Sequence, residues 1–235
     1  MGWNNKVVWS EGMYLRTQHF QQADRYVEAL VRGRVEALRP HAWGLTEIEI
    51  NRDLLKTGFF ALSKCRGVLP DGTPFSLPDD ADHPPPLELP LKTSNVLIYL
   101  VLPLRQPGKR EVAPTAAGDN VVRYGATEYK ALDENLDSDS EVPLKVGRLA
   151  LRYVLETGDR GGYVGIGLAR IVEVHNDRNI LLDDGYIPPV LQCRASGLLK
   201  GFLTELQGLF GHRVEALAQS LKTNQHWLRE RGGQS

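Results

Sequence analysis

The residues of this chain that could do chemistry are an acidic run and a set of histidines. Residues 133–141 alternate oxygen-bearing side chains as a calcium loop does, but Ser138 stands at the position that requires glycine and Leu144 at that of the bidentate glutamate. We therefore expect a solvated loop there. No two histidines have the i, i+4 or HExxH spacing of a zinc site, so we predict no metal. The histidines are His19, His41, His83, His175, His212 and His226.

The chain also contains a glycine-rich stretch and two cysteines. Residues 161–167 superficially suggest a phosphate loop, but Arg170 replaces the third glycine of a dinucleotide fingerprint. We interpret the stretch as a strand after a turn. Neither cysteine has a catalytic flanking sequence and no Gly-x-Ser-x-Gly is present, so we predict a protein with no enzymatic activity and no cofactor. The enzymatic alternative is a carboxylate hydrolase that uses Asp133, Asp137 or Glu173.

Composition narrows the function classes further. The 235 residues include 28 basic and 29 acidic side chains, for a net charge of −1. The chain therefore lacks the overall excess of positive charge that drives sequence-independent nucleic-acid binding. The longest apolar run, residues 96–102, is far shorter than the ~18 residues of a membrane-spanning helix, so we expect no direct membrane insertion. Two distant cysteines and an N-terminus without an apolar signal region favour the cytoplasm.

The first strong periodicity predicts a helix at residues 18–39. Thr17 is its expected N-cap and Pro40 its stop. Gly33 weakens the helix by about 1 kcal/mol relative to alanine, so we expect its apolar stripe to pack against the body of the domain. The stripe consists of Phe20, Ala23, Val27, Leu30, Val31, Val35 and Leu38.

Short β-branched and aromatic segments follow, separated by turn residues. Because no βαβ rhythm appears, we predict an antiparallel β-sandwich. The turn at 71–74 and the turn at 157–162 support this, and the second is expected to join two strands paired as a hairpin. The proline-rich stretch 77–91 is expected to run over the surface. The predicted strands are residues 43–51, 55–66, 95–102, 121–131, 146–156, 163–174 and 180–182.

A second helical pattern begins after Pro188 and Pro189. We therefore divide the chain into a sandwich domain at 1–187, which includes the first helix, and a helical segment at 188–235. Four glycines make a lone helix weak, so the stripe is expected to be buried by other copies of the chain or by sequence absent here. Its residues are Leu199, Leu203, Leu206, Phe210, Val214, Leu217 and Leu221.

The segment before the first helix is the strongest candidate for function. Residues 7–16 concentrate Trp9, Met13, Tyr14 and Leu15 around a glycine, and aromatic, methionine and arginine residues are enriched at binding hot spots. The alternative is an edge strand and helix start whose apolar side chains pack into the domain's own core.

Residues 9–22, WSEGMYLRTQHFQQ, resemble the N-terminal signature of the TssK (ImpJ/VasE) family of bacterial type VI secretion systems. Tyr14 stands where the family often has phenylalanine, and Thr17 where it often has proline. The resemblance extends over essentially the whole chain. It is reinforced at residues 43–44, 71–75, 78, 85–90, 169–174 and 186–189.

The resemblance implies a non-enzymatic structural adaptor of the secretion baseplate. Family members are about twice this length, so the chain corresponds to their N-terminal half and lacks their C-terminal domain. The implied fold is a sandwich similar to the shoulder domain of siphophage receptor-binding proteins, followed by the start of a helical bundle in a homotrimer. The implied partners are the wedge subunits TssF and TssG for this half, and TssL and TssM of the TssJLM membrane complex for the absent domain. The implied location is the cytoplasmic baseplate beneath the inner membrane.

The resemblance also assigns a candidate wedge-binding surface. Its residues are Trp9, Glu11, Gly12, Met13, Leu15, Gln18, His19 and Phe20. The phage likeness suggests one alternative function, a glycan-binding module.

Overall fold

Strands fill the chain between two long helices in the computed structural model, which describes residues 2–114, 121–133, 135 and 140–232, with side chains up to residue 221. The helices are α1 (Thr17–Leu38), α2 (Arg52–Leu55) and α3 (Gly197–Gly232), with a 3-10 helix at Cys193–Ala195. The strands are β1 (Gly44–Ile50), β2 (Phe59–Phe60), β3 (Leu62–Val68), β4 (Pro74–Leu77), β5 (Leu87–Glu88), β6 (Ser94–Pro103), β7 (Val112–Ala113), β8 (Tyr124–Ala131), β9 (Val142–Leu149), β10 (Arg152–Leu155), β11 (Tyr163–Val174) and β12 (Ile180–Leu182).

Two antiparallel sheets enclose the core. One has the order β1-β3-β4 and the other β10-β6-β11-β12. Successive side chains of a strand point to opposite faces, and Leu100, Val101 and Leu102 of β6 are all fully buried, so both faces of this strand are covered. Side chains of both sheets, including Leu45, Cys65 and Ile171, form one apolar cluster. The predicted mainly antiparallel sandwich is confirmed.

Two smaller groups of strands flank the sandwich. In one, β8 pairs antiparallel with β9 and parallel with the short β7; in the other, β2 pairs with β5. The proline-rich stretch is largely exposed, as predicted, but Leu77, Ala81, Pro84 and Leu89 are buried. Its two ends also join sheets, since Leu77 belongs to β4 and residues 87–88 form β5.

The predicted hairpin across residues 157–162 is wrong. The strands on either side of this turn, β10 and β11, both pair with β6, which lies between them. The apolar strand β6 is buried on both faces and needs a neighbour along each edge to satisfy its backbone groups. The sequence alone identified the strands but not this order.

Two predicted strands prove to be composite. The prediction at 55–66 overlaps the end of α2, whose first turn is capped by Asn51: its Oδ1 accepts from the backbone N–H groups of Asp53 and Leu54. The prediction at 146–156 spans parts of β9 and β10, which belong to different sheets. Both errors come from reading a continuous apolar pattern as one element.

Helix α1 begins one residue earlier than predicted. Thr17 is its first helical residue, so the predicted N-cap is wrong and Arg16 takes that position. The Arg16 backbone N–H donates to Nδ1 of His19 at 3.0 Å. No residue of α1 is buried, so the prediction that its apolar stripe packs on the domain is also wrong. Among the described residues, no helix combines the length and apolar content needed to cross a membrane.

Candidate protein-interaction surface

The N-terminal segment, residues 3–16, folds back along α1. The Gln22 side chain donates to the backbone oxygens of Trp3, at 3.0 Å, and Asn5, at 2.6 Å. The Arg25 guanidinium lies 5.6 Å from the Trp3 ring centroid and donates to Gln22 Oε1 at 2.6 Å. These contacts attach the segment to the helix.

A second set of contacts fixes the part of the segment nearest the helix. The Trp9 ring centroid lies 6.2 Å from that of His19 and 6.5 Å from that of Phe20. A turn follows Trp9: the Met13 N–H donates to the Ser10 oxygen at 3.3 Å, and residue 12, with φ of +75°, adopts a backbone conformation that favours glycine.

The eight residues of the candidate wedge-binding surface all reach solvent. Met13 and His19 are partly buried, and the other six are exposed, with Trp9 at 51%. Since the segment forms no strand and none of these side chains enters the core, the alternative of core packing is wrong. His19 combines two features, because its ring contacts Trp9 while its Nδ1 accepts at the start of α1.

Helix α1 contacts the sandwich through polar residues instead of its stripe. Glu28 pairs with Arg105, which follows β6, and the Arg32 side chain lies beside Gly72 in the turn after β3. Most apolar residues of the stripe stay exposed, including Val27 and Val31. An apolar stripe of this kind indicates a surface that another chain or segment covers.

The apolar stripe of α3 is accessible in the same way. Leu199 is partly buried near the start of the helix, and the other six stripe residues, from Leu203 to Leu221, are exposed. Phe202 and Leu209 widen the stripe. This matches the need for partner helices inferred from the sequence; that the partners are other copies of the chain stays a prediction.

The structure gives the glycine-rich stretch a packing role. Residues 163–174 form β11, as predicted. A Cβ at Gly165 would lie 2.8 Å from Cγ1 of Val101, and one at Gly167 would lie 2.6 Å from the Tyr186 hydroxyl oxygen. Glycine is needed here so that neighbouring side chains can approach the strand.

The side chains considered as metal ligands or catalytic groups do not assemble into a site in the part of the chain that the structure describes. No group of three or more metal-ligating side chains forms there; most of the acidic run, residues 134 and 136–139, lies outside it. Burial raises the pKa of the Cys65 thiol to about 12, which keeps it protonated and unreactive. Glu173 is exposed and lies 3.4 Å from Nε2 of His175. The glycan-binding alternative stays a prediction.

Comparison with known proteins gives a consistent result. The profile of the family described as bacterial type VI secretion, EvfL, ImpJ and VasE, matches residues 19–231. The type VI secretion system baseplate component TssK1 of Pseudomonas aeruginosa PAO1 is 42% identical over 218 residues, which are 93% of this chain and 49% of that protein. A crystal structure of TssK is 35% identical, with a TM-score of 0.83 over 92% of this chain and 49% of that chain.

A solved structure of lower sequence identity shows the same fold. A chain in the cryo-electron microscopy structure of a type VI TssK-TssF-TssG baseplate subcomplex matches with a TM-score of 0.79 and 21% identity, over 92% of this chain and 72% of that one. The present chain spans about half the length of TssK1 and of the TssK in the crystal structure.

Proposed function

We propose that this chain is a non-enzymatic structural adaptor of a type VI secretion baseplate, because it belongs to the bacterial type VI secretion family of EvfL, ImpJ and VasE. Its partners on this half are TssF and TssG. In the longer proteins of the family, the remaining half reaches the membrane complex through TssL and TssM. The protein works by binding, on the cytoplasmic side of the inner membrane.

The observation that supports this proposal most is that the N-terminal segment is held against α1 and yet exposed to solvent. Trp9 is fixed against two rings of α1 while about half of its side chain surface remains accessible. A side chain already held in one conformation loses less entropy on binding. The segment therefore suits a preorganised docking surface.

The residue types of the segment fit a protein partner. Trp9 and the partly buried Met13 supply apolar anchors, and the left-handed turn at Gly12 permits close backbone approach. Glu11 and Gln18 lie exposed nearby in sequence and satisfy polar groups at the rim. A partner that carries a complementary apolar pocket bordered by polar groups fits this arrangement.

The second part of the proposal concerns self-association. Residues 188–235 form the start of a helical bundle around the axis of a homotrimer, with the sandwich domain at 1–187. Its support is the exposed stripe of α3, in which Phe210 and Val214 are each 65% exposed. Helices from other copies would remove this surface from water, which is the dominant favourable contribution in protein association.

The test replaces Trp9 by alanine and, separately, Met13 by arginine. Each variant is expected to lose co-purification with a TssF–TssG complex, because an apolar anchor is removed or replaced by a charge. The melting temperature and circular dichroism spectrum should stay close to those of the unsubstituted chain, since neither side chain belongs to the core.

The matched control is Tyr129→Ala on β8, because Tyr129 is an aromatic side chain of similar exposure, 57%, outside the segment. This variant should bind TssF–TssG normally. Retained binding in both segment variants would contradict the proposal, and unfolding of both would assign the segment to the fold.

A further inference from the structure

Helix α1 carries the candidate docking segment but has few contacts with the sandwich. The segment contacts Gln22, Arg25, His19 and Phe20, which are all residues of α1. The orientation of the segment relative to the sandwich therefore depends on how α1 is held. Because no described residue of α1 is buried and most of its apolar stripe is exposed, we expect the polar contacts of the helix to set that orientation.

Arg105 lies at the centre of those contacts. Its Nη1 donates to Oε2 of Glu28 on α1, and its Nη2 lies 3.4 Å from the other carboxylate oxygen. On the sandwich side, its Nε lies 3.2 Å from Oε2 of Glu111 and its Nη2 donates to the Tyr124 hydroxyl at 3.3 Å. The guanidinium thus bridges the helix to two groups of the sandwich.

Arg105 and Glu111 are partly shielded from water, with side chains 22% and 26% exposed, whereas the Glu28 side chain on α1 is 55% exposed. Water therefore screens the helix side of the bridge more than the sandwich side. Burial alone would lower the pKa of Arg105, but the hydrogen bond to Glu28 and the charges of Glu28 and Glu111 raise it above its ordinary value. An arginine fork that contacts several acceptors also loses fewer degrees of freedom per bond than a flexible lysine.

A second contact, through the turn after β3, supports α1 one helical turn further on. Cγ and Cδ of Arg32 would both lie 3.5 Å from a Cβ at Gly72, whose φ is +84°. The turn is rigid because the buried Arg123 donates to Oδ2 of Asp71 at 2.7 Å and to the hydroxyl of Thr73. Arg123 also donates to the Pro103 oxygen at the end of β6, two residues before Arg105.

We propose that Arg105 is a positioning residue, which holds α1 and the attached N-terminal segment in one orientation on the sandwich and thereby presents the segment to its protein partner. The claim that the segment is presented to a partner rests on the proposed function above. The claim that Arg105 fixes the orientation of α1 does not. Removing either member of the Glu28–Arg105 pair should loosen the helix, because the contact beside Gly72 is made mainly by the apolar stem of Arg32, whose Nε pairs with Glu36 on the same helix.

The test measures a distance between α1 and the sandwich in the full chain. Spin labels are attached to cysteines introduced at Gln21 on α1 and Lys64 on β3, both exposed. Cys193 is replaced by serine, because it is exposed, whereas Cys65 is buried and does not compete for label. Double electron–electron resonance then gives the distribution of label distances.

The labelled chain is diluted with an excess of unlabelled chain, so that a trimer rarely holds more than one labelled chain, and the unsubstituted pair should then give one narrow distribution. Glu28→Gln, which leaves the sandwich untouched, and Arg105→Met should each broaden it at least twofold. The double variant should be no broader than either single one, since both changes remove the same interaction. Arg105→Lys keeps the charge and should recover part of the narrow distribution. Unchanged distributions in both single variants would overturn the proposal.

Binding to a TssF–TssG complex gives the second readout. Glu28→Gln and Arg105→Met should weaken it about tenfold, and Arg105→Lys should restore part of it. A broadened distance distribution with unchanged binding would refute the positioning role. If the unsubstituted chain does not bind TssF–TssG, the proposed function fails, and the distance measurement still decides whether Arg105 orients α1.

Discussion

The sandwich and the helices use the same apolar residue types in opposite ways. In the sandwich domain, Phe60, Ile98 and Ile171 are fully buried, and they belong to one cluster with side chains of both large sheets. In α1 no residue is buried, and in α3 the phenylalanine, leucine and valine residues from Phe202 to Leu221 are 44–65% exposed. Burying apolar surface is the main favourable contribution to folding, so the sandwich is stabilised within the chain and the helical stripes are not. This difference supports the proposal that the helices are the part of the chain that contacts other molecules.

The sharpest test of this difference replaces one phenylalanine in each region. Phe60 is fully buried and its ring meets Tyr153 edge to face, with centroids 5.4 Å apart, whereas Phe210 on α3 is 65% exposed. Phe60→Ala is expected to cost about 3–5 kcal/mol of unfolding free energy, because it leaves a cavity. Phe210→Ala should change the stability of the single chain by no more than about 0.5 kcal/mol.

Urea unfolding at low protein concentration measures both effects, since dilution removes any contribution from self-association. The same Phe210→Ala variant should weaken self-association at higher concentration. Equal losses of unfolding free energy for the two substitutions in dilute solution would contradict this difference between the sandwich and the helices.

The next largest effect is expected at the buried Arg123, which pairs with Asp71. Arg123→Met leaves Asp71 in a partly buried place without its partner, and breaking such a pair costs on the order of 3 kcal/mol. Burial would raise the pKa of Asp71, but the charge of Arg123 and hydrogen bonds from Thr73 and Arg123 lower it below its ordinary value.

A carboxyl group whose pKa is lower in the folded state stabilises the fold above its unfolded pKa, about 3.9. That contribution is lost as the pH falls through the lower, folded-state pKa. Unfolding free energies measured from pH 7 down to pH 2 should therefore show a shallower acid dependence in Arg123→Met than in the unsubstituted chain. An identical dependence would show that this pair does not contribute to acid sensitivity.

The smallest expected effect is a gain in stability on α1. Gly33 is exposed within the helix and a Cβ there would meet no atom within 4 Å. Gly33→Ala should stabilise the helix by about 0.5–1 kcal/mol through backbone entropy alone. Hydrogen exchange of the α1 amides measures this. Faster exchange in the variant would mean that α1 packs against its surroundings more closely than the sandwich contacts allow.

The sequence predicted local features better than long-range ones. The bounds of β11 and β12 followed from alternation and turn residues, and those of α1 within one residue from its 3.6-residue period. The order of strands around β6 did not follow from the sequence, because strand pairing depends on which strand edges are free once the chain has collapsed. A period also shows that a helix has an apolar side but not which molecule covers it, and this is why the burial of the α1 stripe was predicted wrongly.

The contacts around the candidate surface were less accessible from the sequence. The accessible N-terminal segment was identified from its residue types and from the family signature. Arg105 and Arg123 were missed, because their partners Glu28 and Asp71 lie 77 and 52 positions away and a single sequence carries no signal that joins them. Only the fold brings these charges together.

The central claim is that the helical stripes and the N-terminal segment are association surfaces, while the sandwich is a self-contained core. Multi-angle light scattering of the chain, alone at tens of micromolar and mixed with a TssF–TssG complex, tests it most directly. The account predicts the mass of three chains alone, a larger species with TssF–TssG, and loss of only the larger species in Trp9→Ala. The mass of one chain in both samples would contradict it.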